Sequence, residues 1–260
     1  MKKWLKILAV MLVLLVVLAG LAFAFFGRLV KAGIQTIGPA VAHVPVGVRE
    51  ADISLLSGAG ALRGLLVGNP EGYTTSFAVS AGEIRVELDP RTLLSDKLHV
   101  RLIRFQTPEI TYEGVPGENN LSRILSNIRE FTDRTSGGAG GDSPVEPPPR
   151  GRKLQVDEFL ISDAMLHVST PFTPAEPVSL HVEDLRLTHL GTGPDGITGP
   201  ELAQRVLTEL LGSTTNLVEE AFLQIGEHLE KTVPAATDPL PGAADSLLRG
   251  LPGLPPAGAR

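Results

Sequence analysis

The chain has 260 residues, 43% of them hydrophobic, and a formal net charge of −6. It contains no cysteine, which excludes disulfides, thiolate chemistry and cysteine-ligated metals. Beyond Lys31 the chain carries 18 basic and 29 acidic side chains, a formal charge of −11. This acidic balance argues against binding to nucleic acid.

The first element is an uninterrupted run of twenty uncharged residues from Ile7 to Phe26, preceded by three lysines. A helix rises about 1.5 Å per residue, so a run of this length spans the roughly 30 Å hydrocarbon core of a bilayer. We therefore predict that residues 1–31 form a short cytoplasmic stub and a single transmembrane anchor. Because basic flanks favour the cytoplasmic side, the rest of the chain is expected in the periplasm, and the anchor in the inner membrane, if the source is a Gram-negative bacterium.

A second interpretation of the same run remains open. Ala22-Phe23-Ala24 is typical of a signal-peptide cleavage site, and cleavage after Ala24 would release the chain from the membrane. Signal-peptide apolar regions are usually about 7–15 residues long, whereas this run is longer and continues past the site. The length of the run favours the uncleaved anchor.

Residues 32–135 are predicted to form a β-rich unit that ends in a helix. Apolar and charged residues alternate from Glu83 to Leu88, which predicts a strand with one dry and one wet face. Alternation returns from Leu98 to Tyr112, with one shift of phase that is typical of a β-bulge. Apolar residues then recur at helical spacing over 120–134, with Asn119 or Asn120 as the N-cap.

Residues 136–152 are rich in glycine and proline, which predicts a flexible linker. A second β-unit is expected over 153–232, because alternation returns there and is followed by a long helical pattern. Thr198-Gly-Pro-Glu201 predicts a capping box at the start of this helix, and Gly212-Ser213 predicts a break or kink. Residues 233–260 are rich in proline and glycine, which predicts a disordered tail.

The strand segments on the two sides of the linker resemble each other. Leu98–Glu113 aligns without gaps with Leu154–Ser169, and both segments shift phase at the same place. Phe77–Leu88 aligns in the same way with Val178–His189. Together the two alignments indicate a repeated β-unit and an elongated sheet of stacked strands.

The residue types needed for catalysis do not occur in a recognisable arrangement. The six histidines include no pair at metal-ligand spacing. Ser57 lacks the glycine two residues earlier that a nucleophile elbow needs, and no glycine-rich segment fits a phosphate-binding loop. We therefore expect no enzymatic activity, no cofactor and no metal.

The order of several short motifs resembles the AsmA-like family of bacterial envelope proteins, over roughly residues 1–190. A β-segment reaches Gly68-Asn-Pro-Glu-Gly-Tyr73, and a later strand ends in Leu88-Asp-Pro90. The motifs that follow are Ile103-x-Phe105-x-x-Pro108-x-Ile110-x-Tyr112, then Asn120-Leu-Ser122 at a helix start, then Val156-Asp-x-Phe159-x-Ile161-x-Asp163-Ala-x-Leu166. The chain would be a short member, and the helical stretch after Pro200 has no counterpart in the resemblance.

The resemblance implies an α+β fold in which an N-terminal transmembrane helix precedes an elongated, curved, mainly antiparallel sheet of repeated strand units with two packing helical segments. It also implies that the sheet forms a groove whose apolar face holds acyl chains. The alternative is that the two helices cover this face as an ordinary core. The candidate lipid-facing residues are Ile84, Val86, Leu88, Val100, Phe159, Ile161, Leu166, Val168, Leu185 and Leu187.

Two functions follow as expectations. The first is a membrane-anchored periplasmic protein that assists lipid transport or outer-membrane homeostasis, with phospholipid as its partner. The second is a structural or adaptor subunit that binds an envelope protein through the helix over 200–231.

Overall fold

The structure, a computed structural model, describes residues 2–136, 152–169 and 178–232. Within these ranges it is a mixed α+β fold with a large, mostly antiparallel sheet and three α-helices. Residues 137–151 of the predicted linker and the predicted tail at 233–260 lie outside the described residues. Strands from both sides of the predicted linker belong to the same sheet.

The elements are numbered in chain order. The helices are α1 (Lys2–Ala42), α2 (Asn120–Ser136) and α3 (Gly199–Thr232). The strands before α2 are β1 (Val46–Ile53), β2 (Ala59–Val67), β3 (Val79–Leu88), β4 (Lys97–Gln106), β5 (Glu109–Val115) and β6 (Glu118–Asn119). The strands after α2 are β7 (Lys153–Ser162), β8 (Ala164–Ser169), β9 (Val178–Val182) and β10 (Leu185–Leu190).

Three pairs of consecutive strands behave as long strands with one interruption. β4 and β5 follow each other along the same edge of β3, β7 and β8 lie beside them, and β9 and β10 lie beside β8 and β7. The order across the sheet is therefore β1, β2, β3, β4–β5, β7–β8 and β10–β9. These neighbours pair antiparallel except at the centre, where β4 pairs with β7 and β5 with β8 in parallel.

The two segments that align in the sequence are the two that pair in parallel, residue for residue. The directly opposed pairs are Leu98 and Leu154, Val100 and Val156, Ile103 and Phe159, Phe105 and Ile161, Ile110 and Leu166, and Tyr112 and Val168. The second alignment corresponds in the same way, since Ile84 lies opposite Phe105 and Leu185 opposite Ile161. Residues that align in the sequence therefore have equivalent partners in the sheet, so the repeat is also present in the strand pairing.

A line of backbone irregularities, here called the first bend line, crosses the sheet. It runs through Gly64, Gly82, Thr107, Asp163 and Glu183, which occupy corresponding unpaired positions between paired residues. The backbone bends at Thr107 and Asp163, and Gly64, Thr107 and Asp163 have φ of +64°, +44° and +54°. Such irregularities are typical of β-bulges, which bend a strand and shift the phase of its side chains.

A second bend line lies six residues away along the strands and runs through Arg101, Asp157 and His189. Arg101 and Asp157 stand between paired residues, and His189 has a φ of +59°. A one-residue shift moves every later side chain to the opposite face of a strand. Because neighbouring strands shift at the same level, their apolar side chains stay on the same face of the sheet.

Helix α2 begins where the sequence predicts. Asn119 is its N-cap: its side-chain oxygen accepts a hydrogen bond from the Ser122 N–H at 2.8 Å, and the Ser122 hydroxyl accepts one from the Asn119 N–H at 3.1 Å. The helix buries Leu121, Ile124 and Ile128 in the core.

Helix α3 begins with the predicted capping box. The Glu201 carboxylate accepts hydrogen bonds from the Thr198 N–H and hydroxyl at 2.6 and 2.9 Å. Partial burial alone would raise the pKa of Glu201, but these hydrogen bonds lower it below its ordinary value. The break predicted at Gly212-Ser213 does not occur, because the helix continues to Thr232. The Ser213 hydroxyl donates to the Leu210 carbonyl at 3.0 Å. The serine side chain therefore forms its hydrogen bond within the helix and does not interrupt it.

The first bend line yields a stability prediction. A Cβ atom at Gly64 would lie 2.9 Å from the Cβ of Arg49, at a positive φ that L-residues rarely adopt, whereas a Cβ at Gly82 would meet no atom within 4 Å. We expect Gly64→Ala to lower the free energy of unfolding by about 1–3 kcal/mol, and Gly82→Ala to change it by less than about 1 kcal/mol. Urea unfolding of the full chain in detergent, followed by circular dichroism, measures both; equal losses would contradict the assigned strain.

Candidate functional site

One face of the sheet, here called the inner face, is apolar across five neighbouring strands. Directly opposed residues of paired strands carry their side chains on the same face. The strand register therefore gives two adjacent apolar rows between the bend lines. The first row is Leu62, Ile84, Phe105, Ile161 and Leu185, and the second is Gly60, Val86, Ile103, Phe159 and Leu187.

The opposite face of the same strands carries charge. Arg63 and Arg85 both contact the Glu83 carboxylate, at 3.6 and 3.4 Å, and Arg186 contacts Glu158 at 2.8 Å. The arginine side chains of these pairs are 39–64% exposed, so each pair contributes little to stability. Their main effect is to keep this outer face in water and so to define the inner face as the dry one.

Helices cover the inner face beyond the first bend line. Helix α2 packs on β5 and β6, and α3 packs on β9, β10 and α2. Ile110, Leu166, Val168 and Val182 are at most 1% exposed there. This part of the face is an ordinary close-packed core.

The inner face between the bend lines is covered less completely. We call those of its half-buried side chains that pack against the buried core the open strip; they are Val86, Ile103, Phe105, Leu185 and Leu187. The rings of Phe105 and Phe159 pack with their centroids 5.4 Å apart and an angle of 38° between their planes, a favourable tilted arrangement. This aromatic pair thus joins Phe105 of the open strip to the buried Phe159.

The structure divides the residues predicted to face lipid into two groups. Val86, Leu185 and Leu187 belong to the open strip. The others are buried and are Ile84, Leu88, Val100, Phe159, Ile161, Leu166 and Val168. The prediction omitted Ile103 and Phe105, although their alignment with Phe159 and Ile161 was a signal that they share the same face.

The C-terminal half of α1 closes the free edge of the sheet at β1. Lys31 Nζ donates to the Arg49 carbonyl at 2.8 Å, and Gln35 Nε2 donates to the Val48 carbonyl at 3.3 Å. Gly27 lies against the Ala51 carbonyl so closely that a side chain at this position would clash with it. Unpaired strand edges are sites of unwanted pairing with other chains. Helix α1 therefore both protects this edge and is fixed to the sheet along it.

The N-terminal half of α1 extends beyond its contacts with β1. Its described large apolar side chains from Trp4 to Leu14 are 59–81% exposed. Judged on the part of the chain that the structure describes, no helix is both long and apolar enough to cross a membrane. The side chains of residues 9, 15–19 and 21–24, which fall in the predicted anchor, lie outside the described residues.

The motif at Gly68–Tyr73 belongs to a loop that is tied to β5 and α2. The two carboxylate oxygens of Glu113 accept hydrogen bonds from the N–H and hydroxyl groups of Thr74 and Thr75, at 2.6–2.9 Å. Asn120 Nδ2 donates to Asn69 Oδ1 at 2.8 Å, and Asn69 Nδ2 donates to the Thr75 carbonyl at 2.7 Å. These hydrogen bonds give Asn69 a structural role, because they tie the loop to β5 and α2.

Tyr112 completes this polar network next to the covered part of the inner face. Its hydroxyl donates to the Val115 carbonyl at 3.0 Å and accepts a hydrogen bond from Asn119 Nδ2 at 3.1 Å. Burial raises the pKa of Tyr112 to about 12, although the hydrogen bond from Asn119 opposes the shift. The tyrosine is therefore neutral and positions the start of α2.

One further cluster of titratable groups lies at the second bend line. His99 Nε2 lies 2.7 Å from Asp157 Oδ2, and Gln155 Nε2 donates to Asp157 Oδ1 at 3.2 Å. Burial alone would raise the pKa of Asp157, but these hydrogen bonds and the nearby charges of His99 and His189 lower it. Within residues 2–136, 152–169 and 178–232 no three acidic or histidine side chains are grouped to hold a metal ion.

The Glu113 carboxylate yields a prediction about pH. Burial alone would raise its pKa, but the hydrogen bonds from Thr75 and Thr74 lower it below its ordinary value. A carboxyl whose pKa is lower in the folded state stabilises the protein at neutral pH, and this stabilisation is lost as pH falls below about 5. We expect Glu113→Gln to lower the free energy of unfolding at pH 7 by about 1–3 kcal/mol and to weaken its fall between pH 5 and 3.

Urea unfolding of the full chain at a series of pH values measures both effects. Glu71→Gln is the matched control, because Glu71 is exposed in the same loop. A control with the same loss as Glu113→Gln would contradict the role of the network.

The division of the inner face into a covered core and an open strip is also testable. Leu166 is fully buried, whereas Leu187 is half-buried in the open strip. We expect Leu166→Ala to lower the free energy of unfolding by about 2–5 kcal/mol, because it leaves a cavity, and Leu187→Ala by less than about 1.5 kcal/mol. Equal losses in urea unfolding would show that Leu187 is also core.

Comparison with known proteins finds no matching family model and no matching curated protein. The function of the chain is therefore argued from its own structural features. The features in question are the open strip, the charged outer face and the helix fixed to the edge of the sheet.

Proposed function

We propose that the chain is a membrane-anchored, AsmA-like protein of the bacterial periplasm that handles lipid. In this proposal residues 7–26 cross the inner membrane, and the sheet lies on the periplasmic side. The open strip shields part of an acyl chain from water while phospholipid is moved or held. The protein would thereby assist lipid transport or maintenance of the outer membrane.

The observation that carries the proposal is the open strip. On the dry face, Val86, Ile103 and Phe105 lie on one side of β7 and Leu185 and Leu187 on the other, and all five keep part of their surface accessible. The facing residues of β7 between them, Phe159 and Ile161, are buried. Each methylene group that leaves water contributes about 0.8 kcal/mol. Six to eight methylenes on the strip would therefore contribute roughly 5–6 kcal/mol before the cost of ordering the chain. A contact of this strength suits reversible transfer rather than permanent storage.

The sequence of α1 supports the membrane anchor. Twenty uncharged residues match the thickness of a bilayer core, and Trp4 at one end is typical of the membrane–water interface. The apolar side chains described in this half of the helix are exposed, and a bilayer would cover them. The contacts of Lys31 and Gln35 with β1 would then hold the sheet close to the membrane surface.

The alternative of an adaptor that binds through α3 has less support. The apolar side of α3 is already used inside the protein, since Leu202, Leu210, Val218 and Ala221 are buried. Leu223 is 58% exposed. Among the α3 side chains that the structure describes, which end at Leu223, this is the one large apolar side chain that is exposed. One leucine falls short of the contiguous patch that marks a protein interface.

The test is lipid retention by the full chain purified in detergent, with extracted phospholipid measured by mass spectrometry. We expect Val86→Asn combined with Leu187→Asn to lower the retained lipid about fivefold, because amides on the open strip oppose acyl contact. Leu66→Asn is the matched control, since Leu66 is a strand leucine that is 46% exposed. Lipid-free wild-type protein, or equal loss in the control, would refute the proposal.

The intact mass of the same purified protein, measured separately, tests the anchor. An intact mass of 27.5 kDa shows that the first 24 residues are retained. A mass that corresponds to cleavage after Ala24 would remove the anchored form of the proposal.

A further inference from the structure

We infer that the depression between α1 and β1 binds the headgroup of a phospholipid that carries both a phosphate and a primary ammonium, as in phosphatidylethanolamine. This inference rests on the proposed function and names its substrate class and its point of entry. It concerns a site separate from the open strip, built from charged rather than apolar side chains.

The depression has a volume of about 340 Å³, within the usual range for small-molecule sites. Three cations line it, namely Arg28, Lys31 and Arg49, and two carboxylates lie beside them, namely Glu50 and Asp52. Charges of both signs on one concave surface match a ligand that carries both signs itself. A purely anionic headgroup would leave the Asp52 carboxylate facing it without compensation.

The cations keep donors available for a phosphate. Lys31 uses one N–H of its ammonium on the Arg49 carbonyl, which leaves two. The Arg28 guanidinium lies 5.0 Å from the centre of the Phe25 ring, a contact that leaves its N–H edge free. In the ranges that the structure describes, neither Arg28 nor Arg49 has a carboxylate within 4.0 Å. Guanidinium groups bind phosphate oxygens in pairs, which gives strong and oriented hydrogen bonds.

The carboxylates differ in their availability for an ammonium. Glu50 contacts Arg63 at 3.5 Å, whereas Asp52 has no ion pair among the described residues. Asp52 is therefore the residue assigned to the ammonium. A primary ammonium donates hydrogen bonds to a carboxylate, and the quaternary ammonium of choline has none to donate. The site should therefore distinguish ethanolamine from choline.

The position of the depression fits the level of lipid headgroups. The uncharged run ends at Phe26, so Arg28 and Lys31 lie about 3 and 7.5 Å further along the helix axis. The polar zone on each side of the hydrocarbon core is roughly 5–7 Å thick. The cations of α1 would thus lie at the depth of the phosphates in the leaflet that faces the sheet.

The depression also leads to the inner face. Ile53 lines the depression and lies directly opposite Gly60, the first residue of the row that continues through Val86, Ile103 and Leu187. Glu50 and Asp52 lie opposite Arg63 and Ala61 and so belong to the outer face, whereas Ile53 belongs to the inner face. The depression therefore lies at the edge of β1 where the two faces meet. The geometry makes the depression an entry point and the open strip the path beyond it.

The test measures lipid binding to the full chain in detergent by native mass spectrometry. The probes are dioleoyl phosphatidylethanolamine, the matching phosphatidylcholine and the matching phosphatidylglycerol. We expect wild-type protein to bind phosphatidylethanolamine at least fivefold more tightly than either of the others. Arg28→Ala combined with Arg49→Ala should lower this affinity at least fivefold, and Asp52→Asn should remove the preference over phosphatidylcholine while retaining binding.

Arg129→Ala is the matched control, because Arg129 is an exposed arginine on α2 away from the depression. Its affinity should equal that of the wild type, and circular dichroism checks that each variant is folded. Competition with millimolar inorganic phosphate separates a site for any phosphate from one for lipid: full displacement would overturn the assignment to a headgroup.

The outcomes separate this inference from the proposed function. Equal affinity for the three lipids, or equal effects of the double arginine variant and Arg129→Ala, would overturn the headgroup site. If the variant with Val86→Asn and Leu187→Asn still retains less lipid than the wild type, the proposed function stands without the headgroup site. If the wild type binds none of the three lipids, both fall.

Discussion

The parallel pairing of β4–β5 with β7–β8 is the constraint on which the rest of the structure depends. It joins the segments before and after the predicted linker through paired residues from Lys97 to Glu113 and from Lys153 to Ser169. Parallel strands need long crossover connections and are usually covered on both faces. Here one face of the parallel strands is apolar and the other is charged. These central strands therefore depend on their antiparallel neighbours, β3 on one side and β10–β9 on the other, to complete the sheet. The inner face exists only because this register keeps the apolar rows in line.

The sequence predicted those features that depend on local pattern. Alternation located β3 to β5 and strands after residue 152, and the Asn119 and Thr198 caps located two helix starts. The ungapped alignment of Leu98–Glu113 with Leu154–Ser169 anticipated which residues lie side by side. Each of these signals involves residues close in the chain, or a comparison of two strands of equal length. A hydrophobic period and a cap act locally, so they are readable without knowledge of the packing.

Coverage of the inner face was not predictable, because it depends on where helices pack. Leu166 and Leu187 have the same residue type and equivalent alternation, yet one is fully buried and the other is half-buried. The docking of α1 on β1 was also missed, since Gly27 and Gln35 gave no pattern of their own. The Gly212-Ser213 break was wrong for a related reason: local propensity favoured an interruption, and tertiary contacts of Leu210 and Val218 kept the helix on the core.

The two edges of the sheet are unlike each other. Helix α1 lies along β1 and uses side chains of Lys31 and Gln35 on its backbone carbonyls, whereas β9 and β10, among the described strands, each pair on one side only. A fold of this kind has one sheet edge that a helix covers and, among the described strands, one edge that could accept further strands. Additional copies of the strand unit would lengthen the sheet away from α1 and would leave the contact between α1 and β1 unchanged.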